Sequence, residues 1–344
     1  MLLKAYIDTP EQASSARRLG VPGVYRTEPG LLAPDRIELM RSIVIAEDKG
    51  HREHAAEALL PLHRSDLKTI FRILSQDSIT IRLLDPPLDR FLPTPQQIAA
   101  DYDEAQSNEN YDELFSLANL RRRVSLVRAQ SSVSHRGCRL SLTHPEILRL
   151  QITAALEAAL DLQTEGISPE IAFLVPLVSS EGEISLIAKS IRDIAAEVFF
   201  GRAETISYRL GALIESPRAA ICAAEISRHL DVVAFGTNDL TRMTYGFSKD
   251  DINAYLDCYL ERGILKQDPF VVLDQRGVGT LMEDAVRRIR HLNPTVEIGV
   301  CGDHSADPES IRFFESLGIC FAACALPVLE ETHRSLIHLS TATG

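Results

Sequence analysis

The chain of 344 residues is 45% hydrophobic, which is enough for a sizeable core, and it carries a formal net charge of −12. This acidic balance argues against nucleic-acid binding, because such proteins present a basic face to phosphates. No apolar run approaches the roughly 20 residues that cross a bilayer, so no membrane interaction is expected. The N-terminus lacks a signal-peptide pattern, and the six cysteines show neither a C-x-x-C pair nor zinc spacing, which favours a reduced, cytoplasmic protein.

Eight short β-rich runs alternate with helical patterns along the chain. Most of these runs end at a polar residue or a proline, and the segments between them place apolar residues three to four positions apart. The predicted strands are Leu2–Ile7, Val21–Tyr25, Ile79–Leu84, Ile171–Leu177, Tyr208–Ile214, Val232–Phe235, Val296–Val300 and Cys320–Ala323. This alternation predicts an α/β fold, a (β/α)8 TIM barrel that forms one domain over residues 1–344.

The segments between the predicted strands include several helices and one polar insertion. Residues 35–60 and 65–74 have helical periodicity, and Pro217–Leu230 reads as one helix with Ser216 as its N-cap. Residues 94–133 are rich in Gln, Asp, Glu and Arg, which predicts a helical surface insertion with a helix near residues 111–127. A solvated excursion is the favoured interpretation of this insertion, and a hinge or lid is the alternative.

Two neighbouring apolar runs each stop at an acidic side chain. The run Tyr208–Ile214 is followed by Glu215, and Val232–Phe235 leads to Asn238 and Asp239. A strand–helix–strand unit makes a right-handed crossover, so both strands should be parallel neighbours with their carboxylates side by side. Two carboxylates and an amide are hard oxygen ligands that suit Mg²⁺, with Mn²⁺ as the alternative ion. Compensation of a helix dipole is the other interpretation of each carboxylate.

Several segments resemble the phosphoenolpyruvate (PEP) and pyruvate-binding barrel of the PEP-utilising enzymes, and pyruvate phosphate dikinase most closely. PEP synthase and the first enzyme of the sugar phosphotransferase system carry the same barrel. The most specific match is Ile81–Pro93, with the sequence IRLLDPPLDRFLP, and the others are Arg26–Glu28, His135–Leu140, Gly236–Asp239 and Asp268–Gly279. The likeness begins at residue 2 and extends along almost the whole chain.

The resemblance implies roles for individual residues. Arg26, Arg82 and Arg136 would hold the phosphate and carboxylate of PEP, which guanidinium forks match in pairs. Arg82 stands inside an apolar run, so its side chain is expected to enter the barrel mouth, although a salt-bridged surface position is the alternative for each arginine. The remaining substrate-binding residues would be Gly236, Thr237, Asn238, Asp239, Lys249 and His304, with Glu215 and Asp239 on the metal.

Cys301 would be the acid that protonates C3 of the enolpyruvate, and it would act with Arg26 and Arg82 as a catalytic residue. A small core hydrophobe is the ordinary interpretation of a free cysteine. His304 follows closely, and tuning of the thiol and a structural role are equally open for it. The sequence departs from the family where Lys249 replaces an arginine and Arg242 replaces a glutamine.

None of the ten histidines falls in the family's phosphohistidine motif, and there is no Gly-rich nucleotide loop. The ATP-grasp and phosphohistidine domains are therefore expected to be absent. The expected function is Mg²⁺-dependent phosphoryl transfer between enolpyruvate and a histidine on a separate carrier protein, or a small molecule. The alternatives are a lyase, mutase or decarboxylase that acts through a metal-bound enolate, and a non-catalytic PEP sensor. The family also implies a homodimer.

Overall fold

Eight parallel strands close into a barrel, which confirms the predicted (β/α)8 fold. The computed structural model describes residues 1–75, 78–130, 135–247, 252–327 and 329. The strands, β1 to β8 in chain order, are Leu2–Ile7, Gly23–Arg26, Ser78–Arg82, Glu170–Val178, Tyr208–Ile214, Val232–Gly236, Glu297–Cys301 and Phe321–Cys324.

Each strand pairs in parallel with the next one along the chain, and β8 pairs with β1 to close the barrel. The register places Arg26 opposite Arg82 on β2 and β3, and Gly236 opposite Cys301 on β6 and β7. Because all strands are parallel, their carboxyl ends lie at one end of the barrel, which we call the mouth. Polar residues at strand ends therefore meet there.

Helices connect the strands and cover the outside of the barrel. The helices in the described part of the chain, α1 to α15, are Pro10–Arg18, Glu28–Leu31, Ile37–Ile45, Lys49–Leu74, Pro95–Ser107, Tyr111–Gln130, Cys138–Thr143, Pro145–Gln163, Glu181–Phe199, Pro217–Ile221, Ala223–Ser227, Thr237–Tyr245, Leu256–Glu261, Val278–Leu292 and Pro308–Ser316. Short 3-10 turns span Leu88–Phe91, Ile252–Ala254 and Asp303–Ala306.

Side-chain caps determine where several helices begin after a strand or loop. The Ser216 hydroxyl accepts a hydrogen bond from the Ala219 N–H at 3.2 Å, as expected for the predicted N-cap. Ser180 and Thr94 each form a reciprocal capping box with the residue three positions later. The caps at Ser180 and Ser216 lie two residues beyond β4 and β5, so only Glu215 separates the latter cap from its strand.

The apolar residues form an inner and an outer layer around the strands. The barrel interior is filled by Val24, Leu174, Leu213, Val232, Ala234, Cys301, Phe321 and Ala323. The opposite faces of the strands pack against the helices, and Phe71, Ile191 and Met282 are fully buried in this outer layer. A third cluster, which includes Phe91, Ile98 and Val124, attaches the insertion helices α5 and α6 to α3 and α4.

Three of the predicted helix boundaries are wrong. The segment expected to be helical over residues 35–60 is broken between α3 and α4, whereas α4 continues through Pro61. Pro61 lies on the exposed side, and burial of Leu59, His63 and Leu67 on both sides of it opposes the roughly 3 kcal/mol that an internal proline costs.

The segment Pro217–Leu230 forms two short helices, α10 and α11, that meet at Cys222. The insertion contains a second helix, α5, before the predicted one, and residues 131–133 of its expected range lie outside the described residues. Among the described residues, no helix is both long and apolar enough to cross a membrane. All six cysteines are free thiols.

Candidate active site

Three carboxylates meet at the mouth of the barrel. Glu215 directly follows β5, and Asp239 lies in the first turn of α12, directly after β6. Asp85 follows β3, two strands further round the barrel, and one oxygen of each residue lies within 4.8 Å of the others. The parallel pairing of β5 and β6 explains why Glu215 and Asp239 emerge side by side, as predicted from the sequence. Three carboxylate oxygens at this spacing are the type of ligand that Mg²⁺ and Mn²⁺ prefer.

Glu215 is the most buried of the three carboxylates, with 5% of its surface exposed. Its Oε2 accepts a hydrogen bond from the Leu177 N–H at 2.7 Å, and Leu177 has a φ of +57°, which is strained for a leucine. Burial and the neighbouring carboxylates of Asp85 and Asp239 raise the pKa of Glu215 to about 8. A cation bound between these groups would stabilise the charged form of Glu215 and reverse this effect.

Gly236 makes room for the Glu215 side chain. A Cβ atom at Gly236 would lie 2.5 Å from Cγ and 2.6 Å from Oε1 of Glu215, which is closer than such atoms can approach. A glycine at the end of β6 is therefore required for Glu215 to point into the carboxylate cluster.

Two arginines neutralise part of this negative charge. Arg136 donates through Nε and Nη2 to Asp85 at 3.1 and 2.8 Å, and through Nη2 to Asp239 at 2.6 Å. Arg242 donates through Nε to the other oxygen of Asp239 at 2.8 Å. These carboxylates raise the pKa of Arg136 above its ordinary value, although burial opposes its charge. Asp239 is thus held from two sides by guanidinium groups.

The other two predicted arginines lie next to each other on β2 and β3, and each pairs with a carboxylate. Arg26 makes a two-pronged contact with Asp8, and Arg82 donates through Nη2 to Glu28 at 2.7 Å. Among the described residues, the buried Nε of Arg82 has no hydrogen-bond partner. A buried donor without a partner is costly, so an anionic ligand that accepts a hydrogen bond from the Arg82 Nε would remove this cost.

Cys301 ends β7 inside the barrel and has 8% of its surface exposed. Burial raises the pKa of its thiol to about 12, although the charges of Arg82 and Lys4 oppose the increase. At neutral pH the group is therefore a protonated thiol. A neutral thiol in this position can donate a proton, whereas a reactive nucleophilic cysteine requires a lowered pKa.

His304 and Thr237 connect the ends of β6 and β7. The fully buried imidazole has Nδ1 2.8 Å from the Thr237 hydroxyl and Nε2 2.8 Å from the Pro269 carbonyl oxygen. Thr237 in turn donates to the Cys301 carbonyl oxygen at 3.3 Å. Through these contacts His304 links Pro269 to Thr237, and Thr237 links to the Cys301 backbone. The predicted roles of His304 in substrate binding and in tuning the Cys301 thiol stay predictions.

Asn238 also links the two strand ends, because its Oδ1 accepts a hydrogen bond from the Asp303 N–H at 3.0 Å. Gly302 has a φ of +138°, and a Cβ there would lie 2.4 Å from the Thr237 hydroxyl oxygen. The chain can turn this closely against α12 only at a glycine. Lys249, another predicted substrate ligand, lies outside the described residues.

Four polar residues at the mouth were not predicted from the sequence to have a role. Asp85, which completes the carboxylate cluster, follows an apolar run just as Glu215 does, so the same signal could have identified it. Asp8 follows β1 and pairs with Arg26 at the end of β2, so the connectivity of consecutive strands could also have identified it. Glu28 pairs with Arg82 across a separation of 54 residues. Tyr6, which is partly buried, packs against the cluster that contains Cys301 only because the barrel closes.

The chemistry of the carboxylate cluster fits the magnesium ion that the resemblance implies. All three donors are oxygens. Burial and the charges of Asp85 and Asp239 raise the pKa of Glu215 to about 8, and Arg136 and Arg82 oppose this increase only partly. Glu215, Asp239 and Asp85 would hold the ion. The catalytic, substrate-binding and metal-binding roles of the individual residues stay predictions.

The fold and site define a (β/α)8 barrel with an arginine-flanked acidic site at the carboxyl ends of its strands. Residues 1–340 match the family described as PEP-utilising enzyme, PEP-binding domain. The chain belongs to this family of PEP-utilising enzymes, which confirms the resemblance seen in its motifs.

The similar proteins include pyruvate phosphate dikinases. Pyruvate, phosphate dikinase 1, chloroplastic, from Arabidopsis thaliana is 39% identical over 324 residues, which cover 93% of this chain and 33% of that protein. Pyruvate, phosphate dikinase 2 from Oryza sativa subsp. japonica is 39% identical over 327 residues, which cover 94% of this chain and 36% of that protein. The chain thus spans about a third of the length of the curated relatives it matches.

A solved citrate lyase from Burkholderia xenovorans LB400 aligns with 97% of this chain and 76% of that chain, with a TM-score of 0.49 and 11% identity. Nothing about function follows from a similarity of this size.

Proposed function

We propose that this barrel binds PEP or pyruvate together with Mg²⁺ and transfers a phosphoryl group between the enol oxygen and an acceptor. The observation that supports this proposal best is the cluster of Asp85, Glu215 and Asp239 within 4.8 Å, with Arg136 in contact with two of its members. A carboxylate cluster beside fixed cations suits a ligand that brings both a metal ion and several negative charges.

The arginines bind and orient the anionic substrate. Phosphoryl transfer requires charge stabilisation on the moving group, and planar guanidinium groups match its oxygens. Arg82 carries a buried Nε donor that lacks a partner among the described residues, and we assign this donor to a substrate oxygen. Arg26 lies on the adjacent strand in the same register, so both guanidinium groups can contact one small anion.

The carboxylates would hold Mg²⁺, which when bound neutralises the charge of the phosphate and the enolate oxygen. Glu215 and Asp239 are the proposed principal ligands. Asp85 is proposed as a third ligand, because its carboxylate lies beside theirs. Asn238, fixed by its bond to the Asp303 N–H, would orient the substrate. Mn²⁺ has the same preference for oxygen ligands and is expected to substitute for Mg²⁺.

Cys301 would exchange the proton at C3. When the phosphoryl group leaves PEP, the bond between phosphorus and the enol oxygen breaks and the acceptor forms a new bond to phosphorus. The enolate that remains takes a proton at C3 from the Cys301 S–H, and the thiolate regains a proton from water. A thiol with a pKa of about 12 is protonated before this step and is a strong base after it.

We propose that the acceptor is a histidine on a separate phosphohistidine carrier protein, or a small molecule. We also propose a homodimeric state, and both proposals follow from membership of the family. A cytoplasmic location is proposed because all six cysteines are free thiols.

The test is proton NMR of pyruvate in D₂O with Mg²⁺ and inorganic phosphate, following loss of the methyl signal. We expect enzyme-dependent exchange that falls at least about 100-fold in Cys301→Ala, the usual scale of lost acid–base catalysis. Cys258→Ala removes an exposed thiol and should leave the rate unchanged. Exchange that persists in Cys301→Ala would contradict the assigned proton donor.

The same experiment separates the alternative functions. Binding of PEP without any exchange would favour the sensor. Exchange without phosphoryl transfer to any supplied carrier would favour a lyase, mutase or decarboxylase that acts through an enolate.

A further inference from the structure

Tyr6 lies at the mouth end of β1, the strand on the far side of β8 from Cys301. Its partly buried side chain packs against the cluster inside the barrel that contains Cys301 and Phe321. The Arg26 guanidinium carbon lies 5.2 Å from the centre of the Tyr6 ring, within range of a cation–π interaction. Tyr6 therefore lies against Arg26, a proposed substrate-binding residue, and against the cluster that contains Cys301, the proposed proton donor.

The Tyr6 hydroxyl group interacts with the chain around Cys301. Burial raises the pKa of the Tyr6 phenol well above its ordinary value, so the hydroxyl keeps its proton. The Gly302 backbone partly opposes this increase in the Tyr6 pKa, and the Tyr6 hydroxyl lowers the pKa of the Cys301 thiol. A protonated hydroxyl has one hydrogen to donate, and this hydrogen is available for the sulfur atom.

We propose that Tyr6 is a positioning residue for Cys301, whose thiolate it stabilises by donating a hydrogen bond to Sγ. This inference rests on the proposed function. When the S–H bond breaks and the C3–H bond forms, the negative charge of the enolate disappears and a negative charge develops on the sulfur atom. The Tyr6 hydroxyl is placed to donate to that charge without transferring its own proton, and its ring holds Arg26 against the substrate side of the site.

A phenylalanine would fill the same volume and keep the contact with Arg26, so Tyr6→Phe isolates the hydroxyl. Loss of one hydrogen bond to the thiolate should reduce the thiolate fraction about tenfold at a given pH. The more basic thiolate is intrinsically about threefold more nucleophilic. Alkylation of Cys301 should therefore slow about three- to fourfold.

The primary experiment measures alkylation of Cys301 by iodoacetamide at pH 9, using mass spectrometry of the peptide that contains Cys301. Tyr208→Phe is the matched control, because Tyr208 lies at the other end of its strand and makes an edge-to-face contact with Phe173. The control should react like the parent protein. A repeat with the smaller reagent methyl methanethiosulfonate shows whether access to the sulfur has changed, since an access effect would differ between the two reagents.

The second readout is the pyruvate exchange rate. Tyr6→Phe should lower kcat about threefold or more and leave KM within about twofold, because the ring that supports Arg26 is retained. Unchanged alkylation in Tyr6→Phe, or equal slowing in Tyr208→Phe, would overturn the inference. Alkylation requires no turnover, so absence of exchange in the parent protein would contradict the proposed function while the alkylation result still decides the role of Tyr6.

Discussion

Each of the three predicted arginines at the mouth pairs with a carboxylate to which the sequence motifs assigned no role, namely Asp8, Glu28 or Asp85. A guanidinium group has five N–H donors, and these contacts use only some of them. The pairs therefore fix the orientation of each arginine and leave donors for a ligand. Orientation fixed in advance reduces the entropy lost when the substrate binds.

Arg82→Lys tests the importance of the guanidinium geometry. Lysine keeps the positive charge but cannot reproduce the donors that face both Glu28 and a ligand. Loss of one charge-assisted hydrogen bond should weaken PEP binding by about 10- to 100-fold in isothermal titration calorimetry. Arg72→Lys is the control, because Arg72 forms an exposed pair with Glu165. Equal affinity in Arg82→Lys and the parent protein would exclude a direct contact between Arg82 and the substrate.

Glu215 makes the stability of the metal-free protein depend on pH. Its folded-state pKa of about 8 lies above the ordinary value of 4.5, so between these pH values the folded state binds a proton that the unfolded state releases. This stabilising contribution is fully present below pH 4.5 and is lost as the pH rises through 8. Urea unfolding in the presence of a chelator should show stability falling from pH 5 to pH 8.

Glu215→Gln should remove that part of the pH dependence, so the variant should become more stable than the parent as the pH approaches 8. Glu57→Gln, on the exposed face of α4, should follow the parent curve. Parallel curves for the parent protein and Glu215→Gln would show that Glu215 does not retain its proton in the folded protein.

At the scale of elements, the ends of β5, β6 and β7 form one row of functional positions. Glu215 follows β5, Gly236 ends β6 beside it, and Cys301 ends β7 opposite Gly236. The Glu215 side chain fits in this row because Gly236, the middle residue, has no side chain. A small change in the middle of the row should therefore disturb the chemistry on one side without unfolding the barrel.

Gly236→Ala should displace the Glu215 carboxylate, because the new Cβ would overlap Cγ and Oε1. We expect Mn²⁺ affinity, measured by electron paramagnetic resonance, to fall at least about tenfold, as it does when the supporting residues of a metal site change. Gly182→Ala is the matched control, since a Cβ there meets nothing within 4 Å in α9, and it should raise stability by about 0.5–1 kcal/mol. Unchanged Mn²⁺ affinity in Gly236→Ala would remove Glu215 from the metal site.

The sequence was sufficient to predict the strands because each buried strand is an apolar run, and most of these runs end at a polar residue or a proline. The predicted Tyr208–Ile214 matches β5, and Val232–Phe235 differs from β6 by one residue. Helix boundaries were harder to predict, since packing competes with local preference. The buried face of α4 keeps the segment helical through Pro61. In contrast, the segment Pro217–Leu230 is interrupted at Cys222 although Ser216 caps its start.

The site was predictable only where its residues follow one another along neighbouring strands. Glu215 and Asp239 are separated by a single strand–helix–strand unit, so their proximity follows from connectivity. Asp85 comes from a strand two positions away, and the closeness of Tyr6 to Cys301 depends on closure of the barrel through β8. A pattern that spans only a few residues contains no information about such contacts.

At the scale of the whole molecule, an acidic protein with a net charge of −12 concentrates carboxylates at the mouth and places three of them within 4.8 Å. Arg136 and Arg242 offset part of the mutual repulsion of these carboxylates, and a bound cation would offset more of it. Binding of a metal ion there would therefore be linked to folding, because a ligand that binds the folded state alone stabilises it.

Addition of Mn²⁺ to the metal-free protein should raise the midpoint of thermal unfolding by a few degrees at pH 8. A concentration 100 times the dissociation constant adds about 2.7 kcal/mol to the free energy of unfolding. The gain should be smaller at pH 6, because the ion must displace the proton that Glu215 holds below its pKa of about 8. Asp239→Asn should abolish the gain, whereas Asp193→Asn, which changes only an exposed pair with Lys189, should retain it. If both variants kept the full gain, Mn²⁺ would be binding outside the carboxylate cluster, and the proposed metal site at the barrel mouth would be wrong.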